Sequence, residues 1–226
     1  MSISPSPVKP SPPESLARWS APVVALHWLG AAAILFLLAL GLAMTHADLD
    51  AALKFDLYQL HKAVGWLTLV LTLARLAARA LTRAPAPLAA SPMWERAAAR
   101  VAHVGLYALA LAVAASGWVR VSTAIVPVPI SLFGLTTIPD IAAMDLALSE
   151  TMARLHALAA YGLAALIALH AAAAIKHGFA DRDGAWRRMA FGRGQALRSR
   201  SRLVANRSRA TPSPRTHRRT PWRRDT

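Results

Sequence analysis

The sequence predicts an all-α membrane protein, a four-helix transmembrane bundle with both termini cytoplasmic. Of its 226 residues, 55% are hydrophobic and 16% charged, and mean hydropathy is +0.37, the balance of a polytopic chain rather than a soluble domain. The apolar residues gather into four stretches, roughly 22–44, 58–81, 99–121 and 152–175, each near the ~20 residues that cross a hydrocarbon core. The charges between them are segregated by sign, and that segregation orients the bundle.

Residues 1–16 are rich in Ser and Pro and lack apolar periodicity, so they are expected to be disordered. The first span follows Arg18-Trp19-Ser20 and does not have the form of a cleaved signal, so it is expected in the mature protein. The next connection carries Asp48, Asp50, Lys54 and Asp56. Arg75, Arg79, Arg83, Arg96 and Arg100 flank the connection between spans two and three, which the positive-inside rule assigns to the cytoplasm. Between spans three and four, Thr123 to Pro139 contains Pro127, Pro129, Phe133 and Gly134. It is too broken for a helix and too apolar for water, which predicts an outward-facing interfacial cap or a plain surface loop. Asp140, Asp145 and Glu150 follow it. The domain is expected to run over 17–194, leaving 195–226 as a disordered basic tail.

The formal net charge of +15 does not indicate specific nucleic-acid binding, because its distribution obeys the topology rule. The tail suits a solvated cytoplasmic segment or anionic lipid headgroups. Cysteine is absent, which excludes disulfides, Fe–S clusters and thiolate zinc sites.

The informative residues are histidines. His156 and His170 lie 14 residues apart in the fourth span, on nearly the same helix face and about 21 Å apart along its axis. In an antiparallel bundle His27 shares the level of His170, and His61 that of His156. Polar side chains at such depth need partners, and a haem between each pair supplies one, with iron taking an imidazole on either face. Gly30, Gly65 and Gly162 lie near these histidines as small neighbours for a broad macrocycle. Lys62 and Arg154 are candidate propionate or outer-site contacts, with Arg18 and Lys176 the inner counterparts. His103 shares the inner level and is either an alternative ligand or a neighbour that orients one, with Tyr107 one turn along. His46 and His177 fall at interfaces and His217 in the tail.

Arg18-Trp19-Ser20 with Leu26-His27-Trp28, His61-Lys62 with Gly65 and Arg75, His103 with Leu106-Tyr107, Ser116-Gly117-Trp118, His156, His170, Lys176-His177-Gly178-Phe179, Asp181-Arg182-Asp183-Gly184 and Arg187-Arg188-Met189 occur in order. Over 17–194 the chain thereby resembles the bacterial cytochrome b-561 family of cytoplasmic-membrane dihaem proteins. The resemblance implies two b-type haems held from helices one, two and four, with His27, His61, His156 and His170 matching the ligands. It further implies oxidoreductase chemistry with ubiquinol or ubiquinone, and superoxide or a redox partner protein on the outer face. Ala115 departs from the pattern, where a helix-kinking proline is expected. Two other classes remain open: a haem-bearing anchor that links a partner dehydrogenase to the quinone pool, and a haem-free transporter or structural bundle.

Overall fold

The computed structural model describes residues 18–85, 92–126, 128–179 and 188–190. Both expected terminal segments, 1–16 and 195–226, lie outside these residues, as do Pro127 and the motif positions 181–187. Four helices form: α1 (Ala21–His46), α2 (Ala51–Leu81), α3 (Met93–Ser122) and α4 (Leu146–Phe179). All four are long and apolar enough to cross a membrane. Each is longer than its apolar stretch, because helix continues into segments that composition alone reads as connections. Pro22 opens α1, where its missing N–H costs nothing. Asp50 caps α2 by accepting from Leu53 N at 2.9 Å, an arrangement worth about 1 kcal/mol, and Asp145 Oδ1 accepts from Leu148 N at 3.0 Å at the head of α4. Helix α3 runs unbroken through Ala115.

Large apolar side chains point outward: Leu29 is 58% exposed, Leu73 51% and Leu169 63%. In water that surface would aggregate; in a bilayer it is the face lipid covers. Half of the buried positions among the described residues are alanine or hydroxylated, including Ala63, Thr68, Thr72, Ser116 and Ala159, which lets helices approach without a hydrophobic driving force. The hydroxyls are satisfied within their own helices: Thr68 donates to Val64 O and Thr72 to Thr68 O, both at 2.8 Å.

The apolar stretch after α3, termed the cap, contains a hairpin that composition does not reveal. Strands β1 (Ile130–Leu132) and β2 (Thr136–Ile138) pair antiparallel with Ile130 opposite Ile138, and β1 packs on α2. The turn puts Phe133 (φ 55°) and Gly134 (φ 77°) in the left-handed region. Glycine adopts that conformation freely, whereas phenylalanine rarely does. Trp118 Nε1 donates to Pro139 O at 3.2 Å and Ile141 N to Ser122 Oγ at 3.1 Å, pinning the return segment to the end of α3.

Consecutive helices pack together, and α4 follows α3 along its length, while α4 approaches α1 and α2 only sparsely. The bundle therefore leaves a gap between α4 and the first two helices. That gap is where the histidines face one another.

Candidate functional site

Both α4 histidines meet a partner across the gap. His170 faces His27 of α1 with ring centroids 6.5 Å apart and planes at 89°. His156 faces His61 of α2 at 6.1 Å and 66°. The two pairs form a base tier, near the start of α1, and a hairpin tier under the cap. His103 of α3 also stands in the base tier, its ring 5.5 Å from that of His170.

The helices repeat this two-tier plan residue by residue. A step of 14 positions links His27 to Gly41 on α1, His61 to Arg75 on α2, His103 to Gly117 on α3 and His156 to His170 on α4. Gly41 and Gly117 are thus the hairpin-tier counterparts of base-tier histidines. A Cβ at Gly41 would lie 3.6 Å from His61 Cε1, and one at Gly117 would lie 3.1 Å from both Cε1 and Nδ1 of His156. The sequence expectation named other glycines. Gly65 does border the cavity beside His61, but Gly30 has nothing within 4 Å of where its Cβ would stand, and Gly162 packs on Leu109. The signal that finds Gly41 and Gly117 was present in the sequence: the same step that separates His156 from His170.

In the hairpin tier His156 donates from Nδ1 to Val113 O at 2.8 Å. That bond fixes the ring and leaves Nε2 as the free acceptor, the usual arrangement of a ligating imidazole. A cavity of about 740 Å³ opens beside the pair, lined by His61, His156, Gly41, Gly65, Gly117 and Trp66 among others. Lys62 and Arg120 border it too. Arg154, the other predicted outer contact, is absent from that lining; its side chain is 76% exposed and lies 3.9 Å from Glu150, one helical turn back. Arg120, at the end of α3, borders the cavity instead.

Lys62 ties the cap down, its Nζ donating to Val128 O at 2.9 Å and Pro129 O at 3.3 Å. A hydrogen bond to a charged group is worth about 1.5–3 kcal/mol. Lys62→Met is therefore expected to raise amide exchange across 130–138 by about tenfold or more and leave α4 near His170 unchanged. Hydrogen-exchange mass spectrometry reads both regions in one experiment.

The base tier is closed by the two ends of the sequence pattern. Trp28 Nε1 donates to Met189 O at 2.8 Å, and Trp19 N to Arg188 O at 3.3 Å. Lys176, a predicted inner contact, donates to Glu95 Oε1 at 3.0 Å and so joins the end of α4 to the start of α3. Arg18 is exposed. His46 bonds locally, with Nδ1 2.8 Å from Thr45 Oγ1, outside either pair.

The profile of the prokaryotic cytochrome b561 family matches residues 18–192. The chain belongs to that family. "Cytochrome b561 homolog 2" of Escherichia coli (strain K12) is 33% identical to it over 172 residues, which are 76% of this chain and 90% of that protein. This cytochrome b561 is accordingly a bacterial membrane protein of electron transport that uses haem b.

The residues present suit that group. An imidazole–metal–imidazole sandwich with metal–nitrogen bonds of about 2 Å needs ring centroids about 6 Å apart, and the pairs stand at 6.1 and 6.5 Å. No group of three or more His, Cys, Asp or Glu among the described residues is placed to hold a bare metal ion, so paired imidazoles favour a cofactor that brings its own equatorial nitrogens. Nδ1 of His27 and of His61 is buried without a hydrogen-bond partner, so neither ring is fixed at that nitrogen as His156 is by Val113 O.

Proposed function

We propose that this cytochrome b561 is a dihaem electron-transfer protein of the cytoplasmic membrane that exchanges electrons between ubiquinone and a partner at its outer face. His27 and His170 would hold one haem, and His61 and His156 the other. The observation that carries this reading is the pair of imidazole gaps, both at sandwich spacing and both built on one face of α4. Each haem, when bound, would supply a one-electron redox centre.

The chain's own residues do the rest. Val113 orients His156, the cap held by Lys62 screens the hairpin tier, and the apolar outer faces of the helices hold both tiers at membrane depth. Arginines beside the second connection favour that side as cytoplasmic, with both termini there and the hairpin outside. Residues 17–194 form the redox domain, and neither terminal segment carries the chemistry.

The outer reaction is superoxide oxidation: two superoxide anions become two dioxygen molecules, and their two electrons with two protons convert one ubiquinone to ubiquinol. Lys62 and Arg120 at the hairpin-tier cavity support it, since cations there draw a small anion inward.

Purified protein is expected to show about two b haems per chain in a quantified reduced-minus-oxidised spectrum, and to reduce ubiquinone when superoxide is supplied. Ubiquinol formation without superoxide, but with a co-purified dehydrogenase and its substrate, would replace the superoxide assignment by an anchor role. A colourless protein from haem-replete cells would sink both.

A further inference from the structure

The base tier holds a cation that histidine ligation does not use. Arg75 lies 14 residues beyond His61 on α2, as His170 lies beyond His156 on α4, which puts it at the level of the base tier. Its guanidinium carbon stands 5.3 Å from the centre of the Tyr107 ring. Arg75 Nε and the Tyr107 hydroxyl are both buried, and neither has a hydrogen-bond partner. Arg75 takes part in neither the Glu150–Arg154 nor the Glu95–Lys176 ion pair.

A guanidinium stays protonated in any protein environment. At membrane depth it requires an anion or a dense set of acceptors. The face of Tyr107 meets part of that demand through its quadrupole but cannot accept the in-plane N–H groups. Two orphan donors, one of them a planar fork, converge on the same place, and the partner such a fork fits best is a carboxylate, which it can bind through two parallel bonds. The haem assigned to this tier carries two propionate carboxylates. Of the cations that sequence position offered for them, Lys176 is bonded to Glu95 and Arg18 is exposed.

We propose that Arg75 and Tyr107 form the carboxylate-binding site of the base tier and receive a propionate of the haem held by His27 and His170. The inference rests on the two-haem reading and deepens it. A fixed positive charge beside this haem favours its reduced form, so the site also raises the midpoint potential of the base-tier haem.

The test uses the full-length holoprotein with Arg75→Gln, Arg75→Lys and Tyr107→Phe, read by resonance Raman bands of propionate bending and by potentiometric titration. Arg75→Gln is expected to shift the propionate band of one haem and lower that haem's midpoint, with the other haem unmoved. Tyr107→Phe should shift the same band with haem content unchanged, and it decides the matter if Arg75→Gln does not fold. Arg75→Lys should recover the midpoint in part but not the band, because a point charge does not reproduce the fork. Propionate bands at wild-type positions in both Tyr107→Phe and Arg75→Lys would overturn the proposal. So would unchanged bands with weakened binding of added ubiquinone, which would make a quinone oxygen the acceptor. The haem count of the wild-type protein is taken first; a single haem there defeats the two-haem reading, and this inference with it, before any variant is scored.

Discussion

His156→Ala is expected to remove one of two haems and leave the other spectrally intact, so that haem per chain falls to about half. The reason is geometric. His156 faces His61, at 6.1 Å, and among the described residues no other histidine ring is paired with either of them. His61→Ala should give the same half-loss, and the double variant should lose no more than either single, because two ligands of one iron act as a unit. The base tier poses a sharper question, since His170 faces both His27 at 6.5 Å and His103 at 5.5 Å. Sandwich spacing favours His27: a centroid distance of 5.5 Å is short for two metal–nitrogen bonds of about 2 Å placed end to end. Accordingly His27→Ala and His170→Ala should each lose the base-tier haem, whereas His103→Ala should keep both and alter only its optical or magnetic signature. Retention of two haems in His27→Ala with loss of one in His103→Ala would reassign the ligand. Because bound cofactor stabilises the folded chain by mass action, the half-loss variants should also melt at lower temperature than wild type.

What the sequence discloses and what it hides follow different physics. Membrane spans are legible because hydrocarbon imposes a length and a composition together, and the four histidines are legible because an antiparallel bundle converts sequence position into depth. The helix ends are not, since 51–57 and 146–151 are helical although they lie outside the apolar stretches. The hairpin is hidden too: three-residue strands carry too little periodicity to register, and its turn uses Phe133 where asparagine or glycine would announce it. Glycines are ambiguous for another reason. In lipid they serve helix contact as readily as cofactor clearance, so Gly162, packed on Leu109, and Gly117, packed on His156, look alike in sequence. Cations near helix ends suffer the same ambiguity. Lys176 is drawn to Glu95 and Arg154 lies toward Glu150, while Arg120 and Arg75 occupy the tiers. Trp19 and Trp28 are the opposite case, for the structure explains why the motif's two ends travel together: the first donates to Arg188 O and the second to Met189 O.

Gly117→Ala should damage the hairpin-tier haem far more than Gly105→Ala damages either haem, although simple distances rank the two the other way. A Cβ at Gly105 would come within 2.9 Å of Leu166 Cδ2, and one at Gly117 within 3.1 Å of His156. Leu166 offers the far end of a flexible side chain, which moves aside by a rotamer change. His156 has no such freedom, because its Nδ1 is bonded to Val113 O at 2.8 Å and its Nε2 is the proposed iron ligand. A methyl group pressed against a ring held at both ends must lengthen one of those bonds, and overpacking of this kind costs about 1–3 kcal/mol. Weakened haem affinity of roughly 5- to 150-fold follows if most of that cost falls on the ligated state. Gly117→Val should abolish the hairpin-tier haem outright. Gly41→Ala serves as the internal control: its Cβ would sit at an ordinary 3.6 Å from His61 Cε1, so both haems should remain with unchanged spectra. Haem titration into apoprotein variants, followed at the Soret band, measures the series. Equal affinity for Gly117→Ala and Gly41→Ala would mean that the His156 ring is free to yield, and hence that it is not fixed between a backbone carbonyl and a metal.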